Sequence, residues 1–305
     1  MNILTAMTRG VLGAFLFLVF LPISATAADK PPPAVPTKAS YQPSPPPGAR
    51  REPPPLVLSA APRETGDEGV ERFAPLAEYL SAVLGRRVEY RHPGDWGVYR
   101  TQMLRGAYDI VFDGPHLTGW RVQHLDYHVL ARFAGGFEFA LIVRRDNARA
   151  TDIAALNGRT LCAHAPPNFS AAVALALFDN PVRQPAIILT EGWANIFQGV
   201  TSGRCESGII PIDELAQRDP QGLVVRALYR SPSYPNQAFS AGPRLTAAER
   251  ERLARALTAP EADAALGAIR RHYGMRQQLV TASNAQYHGL ARFLEDEWGF
   301  DAPRP

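Results

Sequence analysis

From Leu56 onward the chain switches repeatedly between short, continuous apolar runs and stretches of helical period. LVLSAA (56–61) has strand length and stops at Pro62. Residues 67–85 place Val70, Phe73, Leu76, Leu80 and Leu84 on one helical stripe that ends at Gly85, and Pro75 puts the start of the regular helix just before it. VEYR (88–91) predicts a strand, WGVYRTQMLRG (96–106) a helix closed by Gly106, and YDIVFDGP (108–115) a strand and turn. Strands alternating with helices in this way predict an α/β fold with a mainly parallel sheet.

The same order recurs from about residue 159. TLCAHAP (160–166) is a strand, a helix follows from about Ser170, AIILTEG (186–192) is the next strand, WANIFQGVTSG (193–203) a helix and CESGIIP (205–211) a strand. Trp96 lies 10 residues before Gly106 and 13 before Asp109, and Trp193 lies 10 before Gly203 and 13 before Glu206. Each acidic residue opens an apolar strand that ends at a proline, Pro115 or Pro211. The joint match of Trp, Gly, acid and Pro predicts two similar lobes. FEFALIVRRD (137–146) leads out of the first copy and SYPNQAFSAGP (233–243) returns to it, so two crossing strands would form a hinge beside a cleft. Helical patterns at 246–257, 261–273 and 284–298 follow. Lobe 1 is expected to comprise 56–139 and 236–305, and lobe 2 to comprise 140–235.

The first 55 residues have another character. One cation (Arg9) precedes an apolar run from Val11 to Ile23, and Ala25-Thr26-Ala27 offers small side chains to a peptidase. Residues 1–27 therefore predict a signal peptide, too short and too interrupted by Pro22 for a membrane span. Residues 28–55 contain 11 prolines and predict a semi-rigid extended tether. A ligand for a Pro-recognising domain is the other reading of such a run.

Charge changes the picture little. The 32 Lys+Arg and 29 Asp+Glu give +3. That excess lies within residues 1–55, where Arg9, Lys30, Lys38, Arg50 and Arg51 face only Asp29 and Glu52. The remainder is balanced, so a nucleic-acid partner is not expected.

The candidate chemistry sits at the strand ends, where α/β sheets bind ligands. Asn168 or Ser170 can cap the helix that follows Ala-Pro-Pro, and its first free amides could hold an anion. Trp96 and Trp193 open equivalent helices and could sandwich a planar or cationic group, or pack beneath their own lobes. His116 follows one strand and His164 ends another, so the two could approach if the lobes face each other, with a satisfied structural histidine as the commoner reading. A metal site is not expected, because the two histidines lack a third ligand. No Gly-x-Ser-x-Gly, His-Glu-x-x-His or phosphate loop is present, and no cofactor is expected. Cys162 and Cys205 open the first and third strands of the second copy, which are neighbours in a doubly wound sheet. Export favours oxidation, so a disulfide is expected, with two buried thiols as the alternative.

Five stretches, taken in order, carry a resemblance: RFAPLAEYLSAVLGRRVEY (72–90), DWGVYRTQMLRGAYDIVFDGPH (95–116), FALIVRRD (139–146), PNFSA (167–171) and Trp193 to Asp213. The chain resembles the solute-binding subunit of phosphate/phosphite/phosphonate ABC transporters, a family of two-lobed periplasmic binding proteins. The resemblance implies a Ser-x-Ser-Gly turn on phosphoryl oxygens, and here that turn reads Asn168-Phe169-Ser170-Ala171. It also implies that Trp96 stands for a tyrosine, that Trp193 stands for a histidine, and that Asp213 occupies the place of an acid that meets a ligand amine. With those exchanges, a small organic anion or a bulkier phosphonate fits at least as well as free phosphate.

The resulting expectation is a periplasmic, monomeric, non-enzymatic binding protein. A small anionic solute would be held by Trp96, His116, His164, the turn 168–171, Trp193 and Asp213. Lobe closure would be read by the membrane permease of an ABC transporter. The rivals are a ligand-sensing subunit for a membrane histidine kinase, and a periplasmic enzyme or metal-binding protein using His116 and His164.

Overall fold

Strand β1 (Leu56–Ala60) is buried along its whole length, and the chain enters helix α1 (Gly66–Leu84) through a capping box between Thr65 and Glu68. The structure is a computed structural model and describes residues 53–295 and Phe300. The expected signal peptide at 1–27, nearly all of the expected tether and Trp298 lie outside the described residues. Helix α1 starts well ahead of Pro75, which sits in its interior on the exposed side. The capping box supplies the start signal, and a proline that faces solvent costs the helix one hydrogen bond rather than its first turns. Phe73, Leu76 and Leu80 are fully buried, while Val70 stands half exposed. Each such burial is worth about 1.5–3 kcal/mol. Gly85 ends the helix in the left-handed region at φ 64°.

Strand β2 (Val88–Tyr90), helix α2 (Trp96–Leu104) and strand β3 (Ile110–Asp113) follow as expected. Helix α3 (Pro115–His124), strand β4 (His128–Phe133) and the two-residue β5 (Gly136–Phe137) then lead out. The next unit holds β6 (Phe139–Arg144), β7 (Thr160–Ala163), α4 (Phe169–Leu175), β8 (Ala186–Leu189), α5 (Trp193–Thr201), β9 (Ser207–Pro211), α6 (Ile212–Arg218) and β10 (Val225–Arg230). The chain returns through β11 (Tyr234–Pro235), β12 (Ala238–Ala241), α7 (Ala247–Thr258), α8 (Asp263–His272) and β13 (Leu279–Thr281).

Two sheets result. One has six strands in the order β13-β4-β12-β3-β1-β2, and the other has five in the order β10-β6-β9-β7-β8. Each contains a parallel trio with the first strand in the middle, β2-β1-β3 in one and β8-β7-β9 in the other. The repeated Trp, Gly, acid and Pro spacing therefore marks a repeated topology. The strands outside the trios pair antiparallel, so both sheets are mixed, and only their centres match the expectation of parallel pairing. The two crossing segments pair with each other: Phe137 faces Tyr234 and Gly136 faces Pro235 in a separate two-stranded ladder.

The pattern at 284–298 does not form one helix. Residues Asn284–Tyr287 and Leu290–Leu294 are two short 3₁₀ turns, parted by Gly289 at φ 74°. The apolar spacing is satisfied all the same, because Tyr287, Leu290, Phe293 and Leu294 are buried. Cys162 and Cys205 are joined in a disulfide with Cα atoms 5.6 Å apart. No helix among the described residues is long and apolar enough to cross a membrane.

One buried ion pair braces the six-stranded sheet. Arg121 Nε donates to Asp113 Oδ2 at 2.8 Å with both side chains inaccessible. The guanidinium lies over the rings of Tyr99, Tyr108 and Tyr127 at 5.1–5.7 Å. Tyr99 also donates to Asp113.

Candidate functional site

A cleft of about 1840 Å³ is lined by residues of both sheets and of the crossing strands. Trp96, His116, His164, Asn168, Phe169, Trp193 and Asp213 all line it. Ser170 and Ala171 do not; both are fully buried beneath its floor.

The turn before α4 shows why. Asn168 Oδ1 accepts from Ser170 N at 3.0 Å and from Ser170 Oγ at 2.9 Å, so the chain caps its own helix. Ala171 belongs to the apolar core, and Phe169 sits in an aromatic cluster with His116, Phe139, Tyr234 and Phe293. Ser170 is thus bonded and covered.

The two histidines hold opposite tautomers. His116, the second residue of α3 and just past the end of β3, lies with Nε2 2.6 Å from the carbonyl oxygen of Pro167. A carbonyl only accepts, so Nε2 carries the proton and Nδ1 is an acceptor. Burial pushes the imidazole down to about 4, against the raising effect of the Pro167 bond, so it is neutral near pH 7. Its ring stacks on Phe169 at 5.0 Å. At His164 the roles reverse: Gly192 N–H donates to Nε2 at 3.2 Å, which leaves the proton on Nδ1. Burial lowers this group too, opposed by Glu191. The His164 ring meets Trp193 edge to face at 4.2 Å. Nδ1 of both histidines is buried without a hydrogen-bond partner.

Trp96 and Trp193 open α2 and α5 at equivalent points, and both are partly buried in the cleft wall. Trp96 rests edge-on against Tyr99 at 6.1 Å. Each indole therefore both packs within its own half and borders the cleft, which combines the two alternatives open in the sequence.

Sequence reasoning missed a cationic wall. Arg63, Arg270, Arg271 and Arg276 line the cleft from the side of the six-stranded sheet, while Glu191, Asp213 and Glu214 line it from the other. Arg63 follows Ala61-Pro62 at the carboxyl end of β1 and donates through Nη1 to the Tyr273 hydroxyl at 3.3 Å. Its place one step past the central strand was the available signal. Residues 270–277 follow no motif and reach the cleft only because α8 packs on α1. Among the described residues, no group of three or more His, Cys, Asp or Glu could hold a metal ion.

Comparisons with known proteins bear on the family and the fold. A family model described as the periplasmic substrate-binding protein of phosphonate ABC transporters matches residues 58–287, a span that includes all five stretches quoted above. No curated sequence matches the chain. Among solved structures, the chain is similar to XAC2383 from Xanthomonas citri bound to ATP (16% identity, 79% of this chain and 96% of that one, TM-score 0.61). It is also similar to PhnD1 from Prochlorococcus marinus in complex with methylphosphonate (14%, 79% and 97%, TM-score 0.58). A third is the PA3383 binding component of an ABC phosphonate transporter from Pseudomonas aeruginosa (14%, 77% and 83%, TM-score 0.53). At these identities the solved structures establish the fold, which is that of two-lobed periplasmic binding proteins, and the family match establishes descent. The chain belongs to the phosphonate-binding family of periplasmic substrate-binding proteins of ABC transporters.

Proposed function

We propose that this protein captures a small anionic solute, a phosphonate or a related organic anion, in the cleft between its halves and delivers it to the membrane permease of an ABC transporter. It would act in the periplasm as a monomer and without catalysis, after removal of the signal peptide 1–27, with the Pro-rich segment 28–55 as a spacer. Residues 56–139 with 236–305, and residues 140–235, would move as the two closing bodies about the paired strands β5 and β11. The observation that carries this reading is the pair of equivalent walls: matching strand trios present Trp96 and His116 on one side and Trp193 and His164 on the other. Ligand contacts available only in the closed form would then shift the population toward it.

The wall charges favour a particular orientation. The arginine side suits the anionic end of a solute, and Glu191, Asp213 and Glu214 suit a cationic end. The turn 168–171 contributes through Asn168 and Phe169, while Ser170 and Ala171 support it from beneath.

The test is native mass spectrometry of the protein purified without denaturation, followed by thermal melts and small-angle scattering with phosphoryl and carboxyl compounds. A retained anion, a raised Tm and a smaller radius of gyration are expected. If no compound in either class changes melting or scattering, the binding reading fails.

A further inference from the structure

The two copies leave their middle strands in the same way: Ala61-Pro62-Arg63 follows β1, and Ala165-Pro166-Pro167 follows β7. Beyond β7 the exit leads into the turn 168–171, which has spent its donors on itself. Ser170 N and Ser170 Oγ both donate to Asn168 Oδ1, and Asn168 N donates to the carbonyl oxygen of Ala165 at 3.0 Å. His116 gives its Nε2 proton to Pro167. A tetrahedral anion, whose three oxygens call for many donors at once, finds few of them here.

Beyond β1 the exit carries an arginine instead. Arg63 lines the cleft past the middle strand of its trio, with Trp96 past β2 and His116 past β3. Its Nη1 donates to the Tyr273 hydroxyl at 3.3 Å, and the guanidinium lies 5.7 Å over the Tyr273 ring. Nε and Nη2 make no hydrogen bond among the described residues, and they are not shut off from solvent. These two nitrogens form one edge of a planar fork that the tyrosine holds in place, and that edge matches the two oxygens of a carboxylate. The other cations are less suited. Arg270 is held by Asp263 and by the carbonyl oxygen of Arg276, while Arg271 and Arg276 are exposed, so water weakens their pull. A second negative charge on the solute would also meet Glu191, Asp213 and Glu214 in the same cleft.

We infer that the solute is an aromatic carboxylate, its carboxylate paired side-on with Nε and Nη2 of Arg63 and its ring held among the aromatic side chains of the cleft. This rests on the solute-binding reading above and narrows its anion. Trp96, Phe137, Phe169, Trp193 and Tyr273 all line the cleft, and they offer flat apolar area that a methyl-sized body would leave unused. A phosphonate or sulfonate on the same ring keeps the body but brings a third oxygen for which the fork has no donor. The anion is thus held at the exit of β1, and not at the matching exit of β7.

The experiment is calorimetric titration of the purified protein at pH 7 with two sets of compounds that share a ring and differ in the anion. One set is benzoate, phenylphosphonate and benzenesulfonate; the other is phenylalanine and 1-amino-2-phenylethylphosphonate; acetate serves as the ringless carboxylate. In at least one set the carboxylate should bind wild type about tenfold or more tighter than its partners, and acetate should bind about tenfold or more weakly than that carboxylate. Arg63→Gln should weaken the carboxylate about tenfold or more and level the ranking of the anions. Arg63→Lys, a point charge without the fork, should recover the affinity only in part. Melting temperature shows whether each variant is folded, and if neither folds, the ranking in wild type decides. If a phosphonate or sulfonate binds as tightly as its carboxylate in both sets, the inference is refuted and solute binding stands. Full affinity for the carboxylate in folded Arg63→Gln also refutes it, because the anion is then held elsewhere, and acetate equal to the aromatic carboxylate removes the ring. If no compound binds wild type, the solute-binding reading itself falls and this inference falls with it.

Discussion

His116 and Pro167 meet across the cleft, imidazole Nε2 to carbonyl oxygen, at 2.6 Å. One residue leads out of β3 in the six-stranded sheet and the other leads into α4 beside the five-stranded sheet, so this bond joins the two halves directly. It also decides the chemistry of the cleft, because it fixes which imidazole nitrogen carries the proton.

Burial of the same imidazole, which outweighs the raising effect of that bond, makes the protein acid-sensitive. The His116 pKa is depressed from its ordinary 6.5 to about 4 by burial, so the unfolded chain takes up a proton that the native state refuses. Stability is therefore complete above pH 6.5 and is lost as pH falls through about 4, by about 3 kcal/mol for this group alone. His164 is lowered in the same direction. Melting temperature measured from pH 7.5 to 4 should fall more steeply in wild type than in His116→Phe, which keeps the stack on Phe169 but cannot titrate. Equal slopes would show that His116 does not drive the effect.

The indoles give an optical handle. Truncating Trp193 to Ala removes one cleft wall and the edge contact to His164, and should weaken phosphonate binding about tenfold or more. Trp96→Ala should do likewise from the opposite wall. In Trp193→Phe the fluorescence change on adding ligand should shrink, leaving the share reported by Trp96. Unaltered affinity in both alanine variants would remove the indoles from the site.

The Cys162–Cys205 bridge closes a chain segment of 43 residues, and its removal by paired alanine substitution should cost about 4 kcal/mol in a denaturant melt. Gly199 on α5 exists for this bridge. A Cβ there would lie 2.5 Å from Cys162 Sγ, an atom held by its bond and unable to retreat. Gly199→Ala should cost about 1–3 kcal/mol in the oxidised protein. The penalty should shrink when both cysteines are alanine, and strict additivity would count against the clash.

Arg121 is a brace rather than a ligand group. Arg121→Met strands the Asp113 carboxylate in a site with no access to water and should cost about 3–5 kcal/mol by urea denaturation. Adding Asp113→Asn should recover part of that loss, since the stranded charge is gone. No recovery would mean that the packing of Tyr99, Tyr108 and Tyr127 around the guanidinium matters more than the charge.

Much of the architecture was legible in the one-dimensional pattern. The matching intervals from Trp96 and Trp193 correspond to two strand trios with the same order; Cys162 lies on β7 as expected, while Cys205 sits two residues ahead of β9, the adjacent parallel strand, rather than opening it. Period and spacing report such features because strand and helix formation depend on local alternation and on turn residues. The helix expected over 284–298 marks the limit. Burial of Tyr287, Leu290 and Phe293 produces the helical spacing, yet the backbone turns twice around Gly289, since apolar positions can be buried by more than one path.

The candidate site was legible only where it lies on repeated elements. Trp96, His116, His164 and Trp193 could be named because they stand at strand ends, a position that α/β topology itself directs toward a cleft. Ser170 and Ala171 were named by motif and lie under the floor, because Asn168 turns its side chain back on the helix it caps. The family, the alternation and the disulfide partners thus belonged to the sequence by itself. The mixed pairing of the outer strands, the arginine wall of Arg63 with Arg270, Arg271 and Arg276 and the opposed tautomers of the two histidines belonged to the tertiary structure alone. Each of these depends on parts of the chain that are far apart in sequence being brought together, and no local pattern encodes a distance of that kind.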